Sequence, residues 1–205
     1  MAPQLYLITP ANPDPASFPA VLMAVLKAAE VSALLVRRGS ADEAGYAKRA
    51  REIINVGQGA GCAVLLEDDA TLAKRLGADG VHLGQKDGDP REARDTLGPS
   101  VQIGVTCHDS RHLAMEAGEK GADYVAFGAF YETTTKPSNY RPKPELLSWW
   151  ASLFEVPCVA IGGITPLNAA PLVTAGADFI AVCQAVWGSG DPASEVAKFE
   201  ALFTA

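Results

Sequence analysis

The chain has 205 residues, and its 24 acidic against 17 basic side chains give a formal net charge of −7, which excludes the broad basic surface that holds a nucleic-acid backbone. With 48% hydrophobic and 20% charged residues it can bury one sizeable core, and the expectation is one soluble domain spanning 1–205. No stretch approaches the roughly 20 apolar residues of a membrane-spanning helix, and no basic segment followed by a long apolar run opens the chain, so a cytoplasmic protein with no membrane association is expected.

Leu5 to Ile8 is a short apolar run closed by Thr9 and Pro10, which predicts a first strand. Phe18, Val21, Leu22, Val25 and Ala29 then recur at helical spacing. Ala33 to Val36 predicts a second strand, ending in Arg37 and Arg38 ahead of a polar helix start at Ser40 to Glu43. Ala63 to Leu66 predicts a third, ending in Glu67, Asp68 and Asp69 before a helix around Leu72, Ala73 and Leu76. Further strands are expected at Val81 to Leu83, Val101 to Ile103, Tyr124 to Phe127, Cys158 to Ile161 and Phe179 to Val182, and a helical run from Val196 to Phe203 closes the chain. These runs are continuously apolar rather than alternating, the pattern of strands buried on both faces in a parallel sheet.

An internal echo supports this order. Gly77-Ala78-Asp79, Gly121-Ala122-Asp123 and Gly176-Ala177-Asp178 each follow a helical segment and precede a strand. Glycine can adopt the left-handed conformation that ends a helix, so the motif reads as one helix-to-strand turn used repeatedly. Eight β/α units of about 26 residues each predict a single (β/α)8 TIM barrel. A doubly wound open sheet is the alternative, although no glycine fingerprint for a dinucleotide follows the first strand.

In such a barrel the active site stands at the carboxyl ends of the strands. Thr106, Cys107 and His108 are expected just after strand five, and Gly84, Gln85, Lys86 and Asp87 after strand four. Strand six breaks at Gly128 into a loop carrying Thr133, Thr134, Thr135 and Lys136, whose hydroxyls and single cation suit an anion such as phosphate. Taken alone, a threonine-rich loop reads equally well as a solvated turn. After strand seven, Gly162-Gly163-Ile164-Thr165-Pro166 exposes backbone N–H groups ahead of an expected helix with Thr165 as N-cap, a second phosphate seat that Gln184 to Gly190 could complete. The stretch 131–143 is long for a βα connection and reads as a lid.

Cys62, Cys107, Cys158 and Cys183 are far apart and sit in or beside apolar runs, which predicts reduced thiols rather than disulfides or metal ligands. His82 within a strand and His112 at a helix start read as packing or capping residues. Trp149 and Trp150 are adjacent, so only one can face inward. A homo-oligomer is compatible with the sequence.

The runs Val81-His82-Leu83-Gly84-Gln85-Lys86-Asp87, Ile103-Gly104-Val105-Thr106-Cys107-His108, the stretch FGAFYETTTKP and Ala160-Ile161-Gly162-Gly163-Ile164-Thr165-Pro166 resemble the thiamine phosphate synthase family and its sister, the TenI-type thiazole tautomerases. The resemblance covers nearly the whole chain, with the four blocks in the same order. It implies an enzyme that joins hydroxymethylpyrimidine diphosphate to a thiazole phosphate, giving thiamine phosphate and pyrophosphate, with Mg²⁺ as cofactor and phosphorylated small molecules as substrates. By the same resemblance Asp68 and Asp87 match the family's magnesium carboxylates, Arg37 a diphosphate-contacting arginine, and Lys136 the lysine after the threonines. Thr133, Thr135 and Gly163, with Gly162 beside it, match the thiazole phosphate seat; Thr106 stands where the family has serine, and Gln184 where it has a serine after strand eight.

The sequence also departs from that pattern. Leu35 and Gly39 replace a ring-binding glutamine and a diphosphate lysine, while Glu67 and Asp69 flank Asp68 where the family has asparagine and arginine. Like charges beside a diphosphate oppose its binding unless cations compensate. Three readings follow: a synthase with a rearranged diphosphate pocket, a tautomerase using His108 as proton shuttle, or a weak paralogue that binds a phosphorylated metabolite.

Overall fold

The structure, a computed structural model, describes residues 3–204; Met1, Ala2 and Ala205, the ends of the expected 1–205 span, lie outside the described residues. The first half runs β1 (Gln4–Ile8), α1 (Phe18–Ala28), β2 (Ala33–Val36), α2 (Glu43–Gly59), β3 (Ala63–Glu67), α3 (Ala70–Leu76), β4 (Gly80–Leu83) and α4 (Pro90–Leu97). The second runs β5 (Gln102–His108), α5 (Arg111–Glu119), β6 (Tyr124–Gly128), α6 (Glu145–Leu153), β7 (Cys158–Ile161), α7 (Ala170–Thr174), β8 (Phe179–Val182), α8 (Gln184–Trp187) and α9 (Pro192–Thr204). Every strand pairs in parallel with its sequence neighbour, and β8 returns to β1 through Leu5 opposite Ile180, closing the expected (β/α)8 barrel rather than an open sheet. At that seam Trp187 Nε1 donates to the Ile8 carbonyl at 2.7 Å while its ring packs on Phe18.

The continuous apolar runs have a direct cause. One face of the strands fills the barrel with Tyr6, Ile8, Leu35, Leu65, Ala126 and Val159, while the other packs beneath the helices with Leu7, Leu34, Leu66, Ile103 and Phe127. Both faces are dry, so neither supports polar alternation. Trp150 is buried and stacks on Phe154, whereas Trp149 is partly buried and lies beneath the Arg111 guanidinium. Among the described residues no helix is long and apolar enough to cross a membrane.

The repeated Gly-Ala-Asp is a corner at the barrel floor. Gly77, Gly121 and Gly176 all have left-handed φ, of 71°, 86° and 95°. The aspartates then perform one task three times: Asp79 accepts from Val64 N–H at 2.7 Å, Asp123 from Ile103 N–H at 2.7 Å and Asp178 from Cys158 N–H at 2.8 Å. Each side chain thereby fastens the start of one strand to the neighbouring strand that was formed before it in sequence.

Two expectations change. β5 extends to His108, so Thr106, Cys107 and His108 belong to the strand instead of following it. The apolar reading stopped at Gly104, yet that glycine is needed inside the strand, because a Cβ there would stand 1.9 Å from the Tyr124 ring. Thr165 does not cap a helix either. It opens a turn in which Asn168 accepts its N–H at 2.8 Å and donates to the Gly163 carbonyl, and α7 starts only at Ala170.

Candidate active site

At the carboxyl ends of the strands lies a cavity of about 1150 Å³, and ten of the eleven residues singled out from the sequence line it. The exception is Arg37. It follows β2 and its N–H donates to Thr9 Oγ1 at 3.0 Å, while its charge acts on Cys183, which does line the cavity. Arg37 is therefore next to the mouth and outside its lining.

One wall is built by the loops after β6 and β7. Thr133 and Thr135 are half-buried while Thr134 is exposed, and all three line the cavity. Thr135 N–H donates to Thr133 Oγ1 at 3.2 Å. Lys136 is 73% exposed and its Nζ stands 3.9 Å from Glu67 Oε1, reaching across the mouth. Gly162 and Gly163 have φ of 102° and 65°, and a Cβ would meet Ala129 Cβ at 2.3 Å or the Glu132 carbonyl at 2.2 Å. Only glycine lets these two loops touch, and Tyr131 Oη ties them further by donating to the Asn168 carbonyl at 2.7 Å. The Gly163 N–H has no acceptor among the described residues, which leaves it available to an anion.

The opposite wall is acidic, and its four carboxylates are not equivalent. Asp69 caps α3, accepting from Leu72 N–H at 2.8 Å, and is committed to the helix rather than the cavity. Glu67 accepts from Arg38 N–H at 2.9 Å. Asp68 lines the cavity in a left-handed conformation, φ 62°, that non-glycine residues seldom adopt. Its carboxylate accepts from Gly84 N–H at 3.2 Å, and Asp87 approaches the same glycine so closely that a Cβ on Gly84 would lie 2.3 Å from Asp87 Oδ2. Burial, and then the charges of Glu67 and Asp87, raise the Asp68 carboxyl to about 6. Two oxygen-rich side chains thus face one bare backbone position and repel each other there.

His108 also has a left-handed φ, 55°, and its ring stacks on Tyr140 of the 131–143 loop with centroids 4.2 Å apart. Burial lowers its pKa, and Asp109 opposes that shift. The loop is therefore folded over the mouth, where Tyr140 and Arg141 line the cavity beside Thr133. Gln184 begins the single-turn α8 at the remaining edge. Thr106 Oγ1 lies 2.8 Å from His82 Nε2, and Gln85 Nε2 donates to the Thr106 carbonyl. His82 is thus a hydrogen-bonded interior residue, while His112 is exposed beside Glu116 and Ser110 is the cap of α5. Cys62, Cys107 and Cys158 are buried, Cys183 is partly exposed, and all four are free thiols.

Two departures from the family pattern have structural counterparts. Leu35 points into the apolar barrel interior. At Gly39, φ is 61° and a Cβ would fall 1.9 Å from the Ala11 carbonyl oxygen, so the β1 and β2 loops exclude a side chain there. Tyr6, Tyr124, His82 and Tyr140 were not singled out as site residues, because each needs the closed barrel or the folded loop to acquire its partner.

Comparison with known proteins places these features in context. The family described as thiamine monophosphate synthase matches residues 5–186. A thiamine-phosphate synthase of Erythrobacter litoralis is 52% identical over 200 residues, covering 96% of this chain and 93% of the relative. One from Rhodospirillum centenum is 50% identical, covering 96% and 95%. The structure of a thiamine phosphate pyrophosphorylase from Pyrococcus furiosus superposes with a TM-score of 0.86 at 26% identity, covering 98% of this chain and 95% of that one. With the matched region containing every strand from Leu5 to Val182 and all the cavity residues named above, the chain belongs to the thiamine monophosphate synthase family.

Proposed function

We propose that the chain condenses hydroxymethylpyrimidine diphosphate with a thiazole phosphate to give thiamine phosphate and pyrophosphate, acting as one barrel domain on soluble phosphorylated substrates in the cytoplasm. The observation that carries this reading is the two-sided mouth: an anion seat at Thr133, Thr135 and the free Gly163 N–H faces the Asp68–Asp87 pair across one cavity. Two phosphorylated substrates need two such seats.

In this reading the carbon–oxygen bond to the diphosphate breaks with its electron pair leaving on pyrophosphate, and the pyrimidine carbon bonds to the thiazole. Negative charge grows on the leaving group, so stabilisation must be positioned there beforehand. Lys136 reaches that side, and Thr106 offers a hydroxyl to it. The thiazole phosphate is held by Thr133, Thr135, Gly162 and Gly163, with Gln184 at the edge. The 131–143 loop, stacked on His108 through Tyr140, excludes water from the reacting carbon.

Mg²⁺ fits the acidic wall: hard carboxylate oxygens from Asp68 and Asp87 converge above Gly84, and their mutual repulsion is what a divalent cation relieves. The described residues contain no group of three His, Cys, Asp or Glu side chains arranged for a metal, so substrate oxygens and water would complete the coordination. When bound, the ion would supply positive charge to the diphosphate.

The alternatives have less support. A tautomerase would use His108 as proton shuttle, but that ring is stacked beneath Tyr140. A binding paralogue would follow from the family side chains lost at Leu35, Gly39, Glu67 and Asp69, yet Asp69 is a helix cap and Glu67 lies beside Lys136. A coupled pyrophosphate-release assay with both substrates tests the proposal. Release is expected only with Mg²⁺, and Lys136→Ala should lower kcat by about a hundredfold. No release at high enzyme concentration, or thiazole isomerisation without metal, would overturn it.

A further inference from the structure

Four polar side chains form one unbroken row through the barrel. Tyr6 Oη lies 2.9 Å from Tyr124 Oη, Tyr124 Oη lies 2.9 Å from His82 Nδ1, and His82 Nε2 lies 2.8 Å from Thr106 Oγ1. Tyr6, Tyr124 and His82 are buried, and only Thr106 reaches the cavity. The row has a closed end and an open one.

Each hydroxyl carries one proton and a neutral imidazole carries one, so a continuous row can run in two senses. Run outward, Tyr6 donates to Tyr124, Tyr124 donates to His82 Nδ1, and His82 Nε2–H donates to Thr106. Every interior proton is then used, and the Thr106 proton is left facing the cavity. Run inward, Thr106 donates to Nε2, Nδ1–H to Tyr124 and Tyr124 to Tyr6, which strands the Tyr6 proton at the closed end. There the Tyr6 hydroxyl has no partner but Tyr124 among the described residues. A stranded buried donor is heavily disfavoured, whereas a proton at the cavity can be given to water or ligand. Both ring nitrogens of His82 face hydroxyl groups, Tyr124 at Nδ1 and Thr106 at Nε2, and among the described residues no carboxylate pairs with the ring to favour a second proton.

We infer that Tyr6, Tyr124 and His82 form a directional relay that fixes His82 as the Nε2–H tautomer and presents Thr106 as a hydrogen-bond donor to the cavity. Its direction does not depend on which reaction is catalysed; that the acceptor is a diphosphate oxygen rests on the proposed function. His82 and Tyr124 are then positioning residues, acting through Thr106. The relay also accounts for Gly104, since a side chain there would displace the Tyr124 ring.

Imidazole ¹⁵N NMR on the ligand-free full chain tests the direction. The chain has three histidines, so His108→Asn and His112→Asn variants assign the His82 signals. A bare Nδ1 and a protonated Nε2 at pH 7 are expected, with Tyr124→Phe giving a mixture of tautomers. The Nδ1–H form in the wild type would overturn the relay, as would an unchanged single tautomer in Tyr124→Phe. In a second arm, calorimetry with inorganic pyrophosphate and Mg²⁺ should show binding weakened about fivefold in Thr106→Val and Tyr124→Phe and retained in Thr106→Ser. Equal affinity in all three variants would overturn the donor role. A wild type with the Nε2–H tautomer that binds no pyrophosphate would uphold the relay and remove the functional reading alone.

Discussion

The barrel carries aspartates at both ends, and the two sets differ in what they touch. At the floor, Asp79, Asp123 and Asp178 each accept a strand N–H at 2.7 to 2.8 Å. At the mouth, Asp68 and Asp87 crowd one glycine, Glu67 adds a third charge close by, and Asp68 is raised to about 6 with a left-handed backbone. A carboxylate with a donor stabilises the fold. One facing other carboxylates weakens the fold and is retained where a positively charged ligand can repay that loss.

Substitutions can break this contrast, beginning with the floor. Asp123→Ala would strand the Ile103 N–H and remove the 2.6 Å ion pair with Arg94, so a loss of about 3 kcal/mol by urea denaturation is expected, with the family of cavity contacts unchanged. At the mouth the sign should invert. The folded pKa of Asp68 lies above the ordinary carboxyl value of 3.8, so its charged form weakens the folded state above about pH 6, and that penalty fades as pH falls towards 4. Asp68→Asn, which keeps an acceptor for Gly84 N–H and tolerates left-handed φ, should therefore stabilise the ligand-free protein by about 1 kcal/mol at pH 7, after allowing for solvent screening of a half-exposed group, and by nothing near pH 4. Thermal melts across that range read the difference. Added Mg²⁺ should raise the wild-type midpoint and leave Asp68→Asn unmoved. The smallest effect sharpens the boundary: Asp69→Ala should cost about 0.7 kcal/mol through loss of the α3 cap while largely sparing the Michaelis constants, marking Asp69 as structural despite its place in the acidic run.

Much of this was legible in the sequence, for identifiable reasons. Strands buried on both faces leave continuous apolar runs, and helix ends that need left-handed glycine leave Gly-Ala-Asp, so eight strands and the barrel order could be read along the chain. β5 was cut short because Gly104 reads as a break until Tyr124 is seen to occupy its side-chain space. The cavity residues were legible as polar punctuation at strand ends. Arg37 shared that position, but its placement outside the lining depends on the Thr9 hydroxyl that holds its N–H. Asp69 carried a readable cap signal that the neighbouring charges obscured. Tyr6, His82 and Tyr124 were hidden for another reason: each is one polar residue within an apolar strand, and the row exists only when β1, β4, β5 and β6 meet across the closed interior.

The floor corners also divide the molecule into parts. Asp79 joins the approach to β4 with β3, Asp123 the approach to β6 with β5, and Asp178 the approach to β8 with β7. Three of the four successive strand pairs therefore carry their own fastener, while the approach to β2 is joined to β1 by a main-chain bond from Ser32 N–H to the Leu5 carbonyl, with no aspartate at that corner. A chain opened between β4 and β5 would keep every fastener within one fragment, whereas one opened between β3 and β4 would separate Asp79 from Val64. The barrel is closed as a ring, but its covalent plan is modular, with paired strands as the units that could be split, permuted or exchanged.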